Sequence, residues 1–196
     1  NCKSLKLIRA DRMIDGLSRK VVEKAAILIE GSTIIAVGTE SEIQLPEDRE
    51  VQQLDYTNTT MLPGLVDTHV HMNWFGDGRP GDEIGPYPVE LLMLQSAKNM
   101  RTHLESGVTT IRDCGSKYNT AFYMKEGVRL GITPGPRMLV CGRPITITGG
   151  HLWYMGSEAN GEVGVTEMVR QLVKEGADFI KIVATGGSTK TSVPFR

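Results

Sequence analysis

The chain has 196 residues, 40% of them hydrophobic, with 22 basic against 23 acidic side chains. That length and composition can bury a core, and no apolar run is long enough to span a bilayer. The near-zero charge balance excludes electrostatic capture of nucleic acid or an anionic membrane as an expected function, so the expected partner is a small molecule.

Cys2, Cys114 and Cys141 are odd in number, widely spaced and without a CxxC pair, which argues against a disulfide framework and against a structural thiolate zinc site. A reducing compartment fits that usage, and no basic-then-apolar segment marks a secretory signal at the N-terminus. The expected location is therefore cytoplasmic, although the chain lacks an initiator Met and a trimmed start would hide a signal. Asn58-Thr59-Thr60 fits the glycosylation pattern, which is short enough to recur by chance.

Residues 1–60 read as a small antiparallel β unit. Strands are expected over 5–14, 25–29, 33–37 and 51–56, with Glu30-Gly31-Ser32 as a hairpin connection and the polar, Pro46-containing stretch 38–50 as a surface loop. From Met61 the pattern becomes strands alternating with helical stretches, the signature of βαβ units and a parallel sheet. The first strand lies at 61–72. Pro88 then opens a helix in which Val89, Met93, Ala97, Met100 and Leu104 recur at spacings of three and four up to Gly107. A strand at 108–112, a helix at 121–130 closed by Gly131, a strand at 137–141 and a long loop follow. Thr166 is the expected N-cap of a helix through Glu175, and 178–184 is the fourth strand. Four parallel strands suit a small open α/β domain or half of a barrel, since the 61–196 segment is short of the roughly 250 residues of a closed eightfold barrel.

The chemistry concentrates in few places. Asp67, His69 and His71 stand at i, i+2 and i+4 of the first strand, so they share one face while Val70 and Met72 turn to the other. Two imidazoles on one strand make half of a metal site; alternatively they are satisfied core histidines. Phe179-Ile180-Lys181-Ile182-Val183 reads as a strand buried on both faces, and lysine is rarely buried without a partner. Desolvation favours the neutral amine, a nucleophile toward CO2 among others; a strand-end lysine that snorkels to water or pairs with a carboxylate is the other reading. His151 follows Gly149-Gly150 in the loop after the third strand, where it is a loop histidine or a substrate contact. His103 falls in the first helix, with a surface or packing role. Trp74, Phe75, Tyr87, Trp153 and Tyr154 line a pocket or pack their loops. Arg112 and Asp113 are expected to form an internal ion pair, and Gly186-Gly187-Ser188-Thr189 is expected to be a plain loop, with no phosphate-cradle pattern around it.

Leu62-Pro63-Gly64-Leu65-Val66-Asp67-Thr68-His69-Val70-His71, the 107–115 segment Gly-Val-Thr-Thr-Ile-Arg-Asp-Cys-Gly, Gly149-Gly150-His151 and the 179–187 segment Phe-Ile-Lys-Ile-Val-Ala-Thr-Gly-Gly together resemble the amidohydrolase superfamily. They are most similar to its imidazolonepropionase-like and Xaa-Pro dipeptidase-like members. The resemblance implies an α/β fold, a (β/α)8 TIM barrel beside a β-sandwich, with residues 1–60 as the N-terminal part of the sandwich and 61–196 as the first half of the barrel. It implies two divalent metal ions, with zinc suited to imidazole and oxygen donors. His69 and His71 would be metal ligands, carboxylated Lys181 the bridge between the ions, His151 a catalytic residue that polarises the scissile carbonyl, and Asp67 a partner orienting an imidazole.

The implied activity is hydrolysis of an amide or peptide bond in a dipeptide or N-acyl amino acid by metal-activated water. A mononuclear cyclic-amide hydrolase or deaminase is the alternative within enzymes, and a catalytically silent scaffold subunit the alternative outside them. The family draws two further histidines and an aspartate from later strands, so this chain is expected to be a piece of a longer protein, inactive by itself. The sequence leaves a homo-oligomer open.

Overall fold

The computed structural model describes residues 4–187, so Cys2, Ser188 and Thr189 lie outside the described residues. The chain divides into two compact units, with the boundary between Pro63 and Gly64.

The first unit is a four-stranded sheet of β1 (Leu5–Met13), β2 (Val22–Glu30), β3 (Thr33–Thr39) and β4 (Val51–Met61), in the order β3-β2-β1-β4. Alternation places Leu5, Leu7, Ala26 and Leu28 on one buried face, with Ala36, Ile43 and Val51 packed against it. Gly31, at φ +60, makes the tight β2–β3 turn. The unit is not wholly antiparallel as expected: β4 runs parallel to β1. Its chain crosses past β2 and β1 through 40–50, and a strand placed beyond β1 by a crossover arrives in the parallel sense. Asn58-Thr59-Thr60, beyond the strand expected over 51–56, lies inside β4. The β1–β4 register shifts there, Asn58 takes φ +58 and its N–H donates to Asp11 Oδ2 at 3.0 Å. Asparagine tolerates that conformation, so the strand bulges and continues.

The second unit holds a parallel sheet, β5 (Leu65–Val70), β6 (Val108–Asp113) and β7 (Arg137–Val140), in that order. The first barrel strand thus begins at Leu65, and Met61 belongs to β4. Helices α1 (Val89–Glu105) and α2 (Thr120–Arg129) cover one face. Val70, Met72, Met100, Ile111, Ala121, Met124, Met138 and Val140 make the core between sheet and helices. Leu92, Ser96 and Met100 form the innermost stripe of α1, whereas Leu104 is 36% exposed.

The loop expected after β7 contains a two-residue parallel pair, β8 (Ile145–Thr146) with β9 (Ser157–Glu158). Helix α3 runs Gly161–Glu175, and its N-cap is Asn160, six positions before the expected Thr166; the Asn160 side chain bonds Thr148. Arg143 ties this region together by bonding Asn119, Ser157 and Glu175.

The fourth strand is a correction. Residues 178–183 run beside the third, bending at 178 and 179, with Asp178 N–H on the Val140 carbonyl, Ile145 N–H on the Lys181 carbonyl and Val183 N–H on the Ile145 carbonyl, each 2.8 Å. Among the described residues only the isolated bridge Ile145–Ile182 forms a ladder contact. The neighbouring chain is broken between Val140 and Ile145 by Gly142 at φ +69 and by Pro144, which has no N–H to give. The segment is not buried on both faces either: Lys181 is half-buried and Ile182 is 58% exposed. Among the described residues, no helix is long and apolar enough to cross a membrane.

Candidate metal centre

His69 and His71 leave the C-terminal end of β5 on one side, with ring centroids 5.4 Å apart and planes inclined by 56°. Val70 and Met72 point the other way, into the core. Asp67 Oδ1 accepts the main-chain N–H of His69 at 3.1 Å. Among the described hydrogen bonds Asp67 therefore steadies the backbone of the ligand strand and does not touch an imidazole as expected.

His71 is held more firmly. Its Nδ1 lies 2.8 Å from the Gly115 carbonyl, and its ring stacks on Trp74 at 4.2 Å between centroids. A carbonyl can only accept, so the acceptor assigns the ring hydrogen to Nδ1 and leaves Nε2 with its lone pair. Burial pushes the His71 pKa down; the Gly115 bond and the Asp113 charge act against this, and the nearby His69 and Lys181 add to it. The imidazole is thus kept neutral, as a metal ligand must be.

Asp113, at the end of β6, is fully buried. Its Oδ1 accepts the Gly115 N–H at 2.9 Å and its Oδ2 the Met72 N–H at 3.2 Å, while the Ser116 hydroxyl lies 3.0 and 2.9 Å from the two oxygens. The expected Arg112–Asp113 ion pair does not form. Neighbours on a strand face opposite sides, and Arg112 instead stands over the Phe179 ring at 4.0 Å. Desolvation raises the Asp113 pKa, against the pull of these hydrogen bonds and of His71.

The segment after His71 is anchored by polar residues the sequence reading passed over. Asn99 donates to the Met72 and Trp74 carbonyls at 2.9 and 2.6 Å. Asn73 accepts from Lys117 N–H and Thr120 Oγ1 at 2.7 and 3.0 Å and donates to Ser96 at 2.9 Å. Lys117, 8% exposed, caps the Gly85 and Tyr87 carbonyls. A signal existed: Asn73 directly follows the histidine-bearing strand, and Ser96 and Asn99 interrupt the apolar stripe of α1. Buried polar side chains at such positions must find partners.

His151 and Lys181 meet the two strand histidines at a cleft of about 510 Å3, whose wall also includes Trp74 and Leu152. Burial lowers the pKa of His151, and the Lys181 charge adds to that. Gly187 abuts the His151 ring, where a Cβ would stand 2.3 Å from Nε2. Phe75 and Tyr87 pack edge to face at 5.3 Å and Trp153 and Tyr154 at 6.4 Å, so these aromatics chiefly stabilise the surrounding loops. His103 bonds the Asn99 carbonyl at 3.0 Å within α1. Cys114 and Cys141 are buried, and desolvation raises both thiols.

Among the described residues no three His, Cys, Asp or Glu side chains are grouped to hold a metal ion. The cleft gathers three imidazoles and one amine, of which the two strand imidazoles and the amine are the expected donors. An ammonium repels a cation, whereas a carbamate on the same nitrogen supplies anionic oxygen donors, so the residues present fit a metal as a partial donor set.

Several solved structures share this architecture. An Xaa-Pro dipeptidase with methionine in its active site is 31% identical, matched over 94% of this chain and 48% of its own, at a TM-score of 0.77. An amidohydrolase is 27% identical over 97% of this chain and 49% of its own, at 0.80. Ochratoxinase of A. niger, 22% identical and covered to 50%, shares the fold at 0.81. The chain spans about half the length of these proteins. A 57-residue stretch, 29% of this chain, is 37% identical to imidazolonepropionase of Chloroflexus aggregans, of which it is 13%. The fold is thus the mixed α/β fold of the TIM-barrel amidohydrolases. Residues 60–194 match the profile of the Amidohydrolase family, and the chain belongs to that family.

Proposed function

We propose that the whole protein is a metal-dependent hydrolase that cleaves a carbon–nitrogen bond in a small substrate, a dipeptide or an N-acyl amino acid. The observation that carries this reading is the convergence of His69, His71, His151 and Lys181 on one cleft. His69 and His71 would hold one divalent ion, with zinc suited to the imidazoles, and carboxylated Lys181 would be shared with a second. When bound, such ions supply Lewis-acid polarisation and a water made acidic enough to attack near neutral pH.

The chain's own residues account for the rest. The Gly115 carbonyl holds the His71 ring in one tautomer. Trp74 closes one side of that ring and keeps water from it. His151, neutral through burial, offers an N–H to a substrate carbonyl oxygen, where charge accumulates during attack. Carboxylation of Lys181 would form an N–C bond to CO2, with the ammonium giving up two protons to water, and would replace a cation in the cleft by an anion.

The stretch shared with imidazolonepropionase favours, as a second reading, a mononuclear hydrolase of cyclic amides. Lys181 in the cleft wall weighs against it, because one ion needs no bridge. Metal analysis of the whole protein prepared with and without bicarbonate, beside Lys181→Ala, separates the two. Two zinc ions per chain, falling with Lys181→Ala and without bicarbonate, are expected, together with release of free amino acid from dipeptides. One ion per chain regardless of Lys181 would favour the mononuclear reading. Metal bound in full with no carbon–nitrogen hydrolysis would leave a silent scaffold.

A further inference from the structure

We infer that Asp113 is a positioning residue for His71, helping to fix the tautomer and direction of its imidazole through the backbone of Gly115. The inference rests on the reading of His71 as a metal ligand. A fully buried carboxylate is costly unless hydrogen bonds replace its water, and among the described contacts Asp113 meets main-chain N–H groups and a hydroxyl, with no cation. What those bonds join is specific. One oxygen takes the N–H of Met72, the residue directly after His71, at 3.2 Å; the other takes the N–H of Gly115 at 2.9 Å. The carbonyl of that same Gly115 accepts from His71 Nδ1 at 2.8 Å.

Asp113 therefore holds both the backbone that carries the imidazole and the acceptor that orients it. Gly115 adopts φ +147, and a Cβ there would stand 2.9 Å from Pro144 Cγ. Few residues but glycine can turn the backbone this way, and the peptide that carries the carbonyl is held from several sides: Asp113 takes the Gly115 N–H before it and the Ser116 hydroxyl after it, and the Gly142 carbonyl takes the Ser116 N–H at 3.0 Å. A tie between loops alone would not require the gripped residue to be the one whose carbonyl meets the ring. The sequence hid this because Arg112-Asp113 reads as an ion pair until the strand sends the two side chains to opposite faces.

A double-mutant cycle on the zinc affinity of the whole protein, measured by chelator competition, tests the inference. Asp113→Asn keeps one acceptor oxygen and loses the other; zinc affinity should fall by about 10- to 100-fold, as for outer partners of metal-bound histidines. In a His71→Asn background the same substitution should change affinity by less than about twofold, because its route to the metal is gone. A merely structural Asp113 would weaken binding equally in both backgrounds, and that result, or unchanged affinity in Asp113→Asn, overturns the inference. If His71→Asn by itself leaves zinc affinity intact, the metal reading fails and takes this inference with it. Should circular dichroism show Asp113→Asn unfolded, Ser116→Ala, which removes the hydroxyl donor, takes its place. A smaller loss confined to the His71 background supports the inference, and an equal or absent loss removes it.

Discussion

Gly187 faces His151 so closely that a methyl group there would overlap the imidazole, at 2.3 Å from Nε2 and 2.4 Å from Cε1. Gly187→Ala must therefore turn the ring. A misplacement of about 1 Å in a group that contacts substrate can cost about 100-fold in rate. Gly187→Ala and His151→Asn in the whole protein are both expected to lower turnover with the zinc content unchanged; loss of metal from either would place His151 among the ligands instead. His71 makes a second prediction. Burial lowers its folded pKa below the usual value of about 6.5, so the unfolded chain binds the proton more tightly. The stability tied to neutral His71 is then fully present above pH about 6.5 and lost as pH falls through the lower folded value. Metal-free protein should lose urea stability between pH 7 and 5.5 more steeply than His71→Asn. Parallel curves would show that His71 is not desolvated.

At the scale of elements, Gly64 lets β5 start beside β6: a Cβ at Gly64 would lie 2.1 Å from Thr109 Oγ1 and 2.7 Å from Thr109 Cβ. Gly64→Ala is expected to cost about 1–3 kcal/mol in urea unfolding, the range for overpacking a well-packed site; an unchanged midpoint would mean that the strands slide apart freely. The Leu62-Pro63-Gly64 motif was legible in the sequence because both its glycine and the alternation after it carry local signals. β5 to α2 were legible for the same reason, since apolar periodicity and the glycines after the helices are local properties. Three things were not. The direction of β4 depends on a crossover that residues 40–50 do not announce. Helix α3 starts at Gly161, after Asn160, whose side chain bonds Thr148 and not the helix N-terminus, a tertiary contact. The strand holding Lys181 looked regular because its own residues are apolar, whereas its ladder is broken by Gly142 and Pro144 on the neighbouring chain. The histidines and Lys181 could be picked out one by one, but the role of Asp113 required knowing which peptide the His71 ring meets.

For the whole molecule, the parallel sheet has one face covered by α1 and α2, yet Leu65, Val66, Leu139 and Ile182 remain 42–62% exposed. Parallel sheets are stable when both faces are covered, and β5 and the 178–183 segment also offer unpaired backbone edges. The 196-residue chain by itself is therefore expected to self-associate at micromolar concentration, seen as a mass above the monomer in light scattering. The same incompleteness governs its chemistry. With His151 facing the substrate, the two strand imidazoles and one amine satisfy no more than part of one tetrahedral ion, since structural and catalytic zinc take three or four protein donors. Zinc titration of the 196-residue chain should accordingly give at most one weakly bound ion and no dipeptide hydrolysis, whereas the whole protein should bind two and turn over. Tight binding of two ions by the 196-residue chain would mean that the described residues rearrange into a donor set they do not now form.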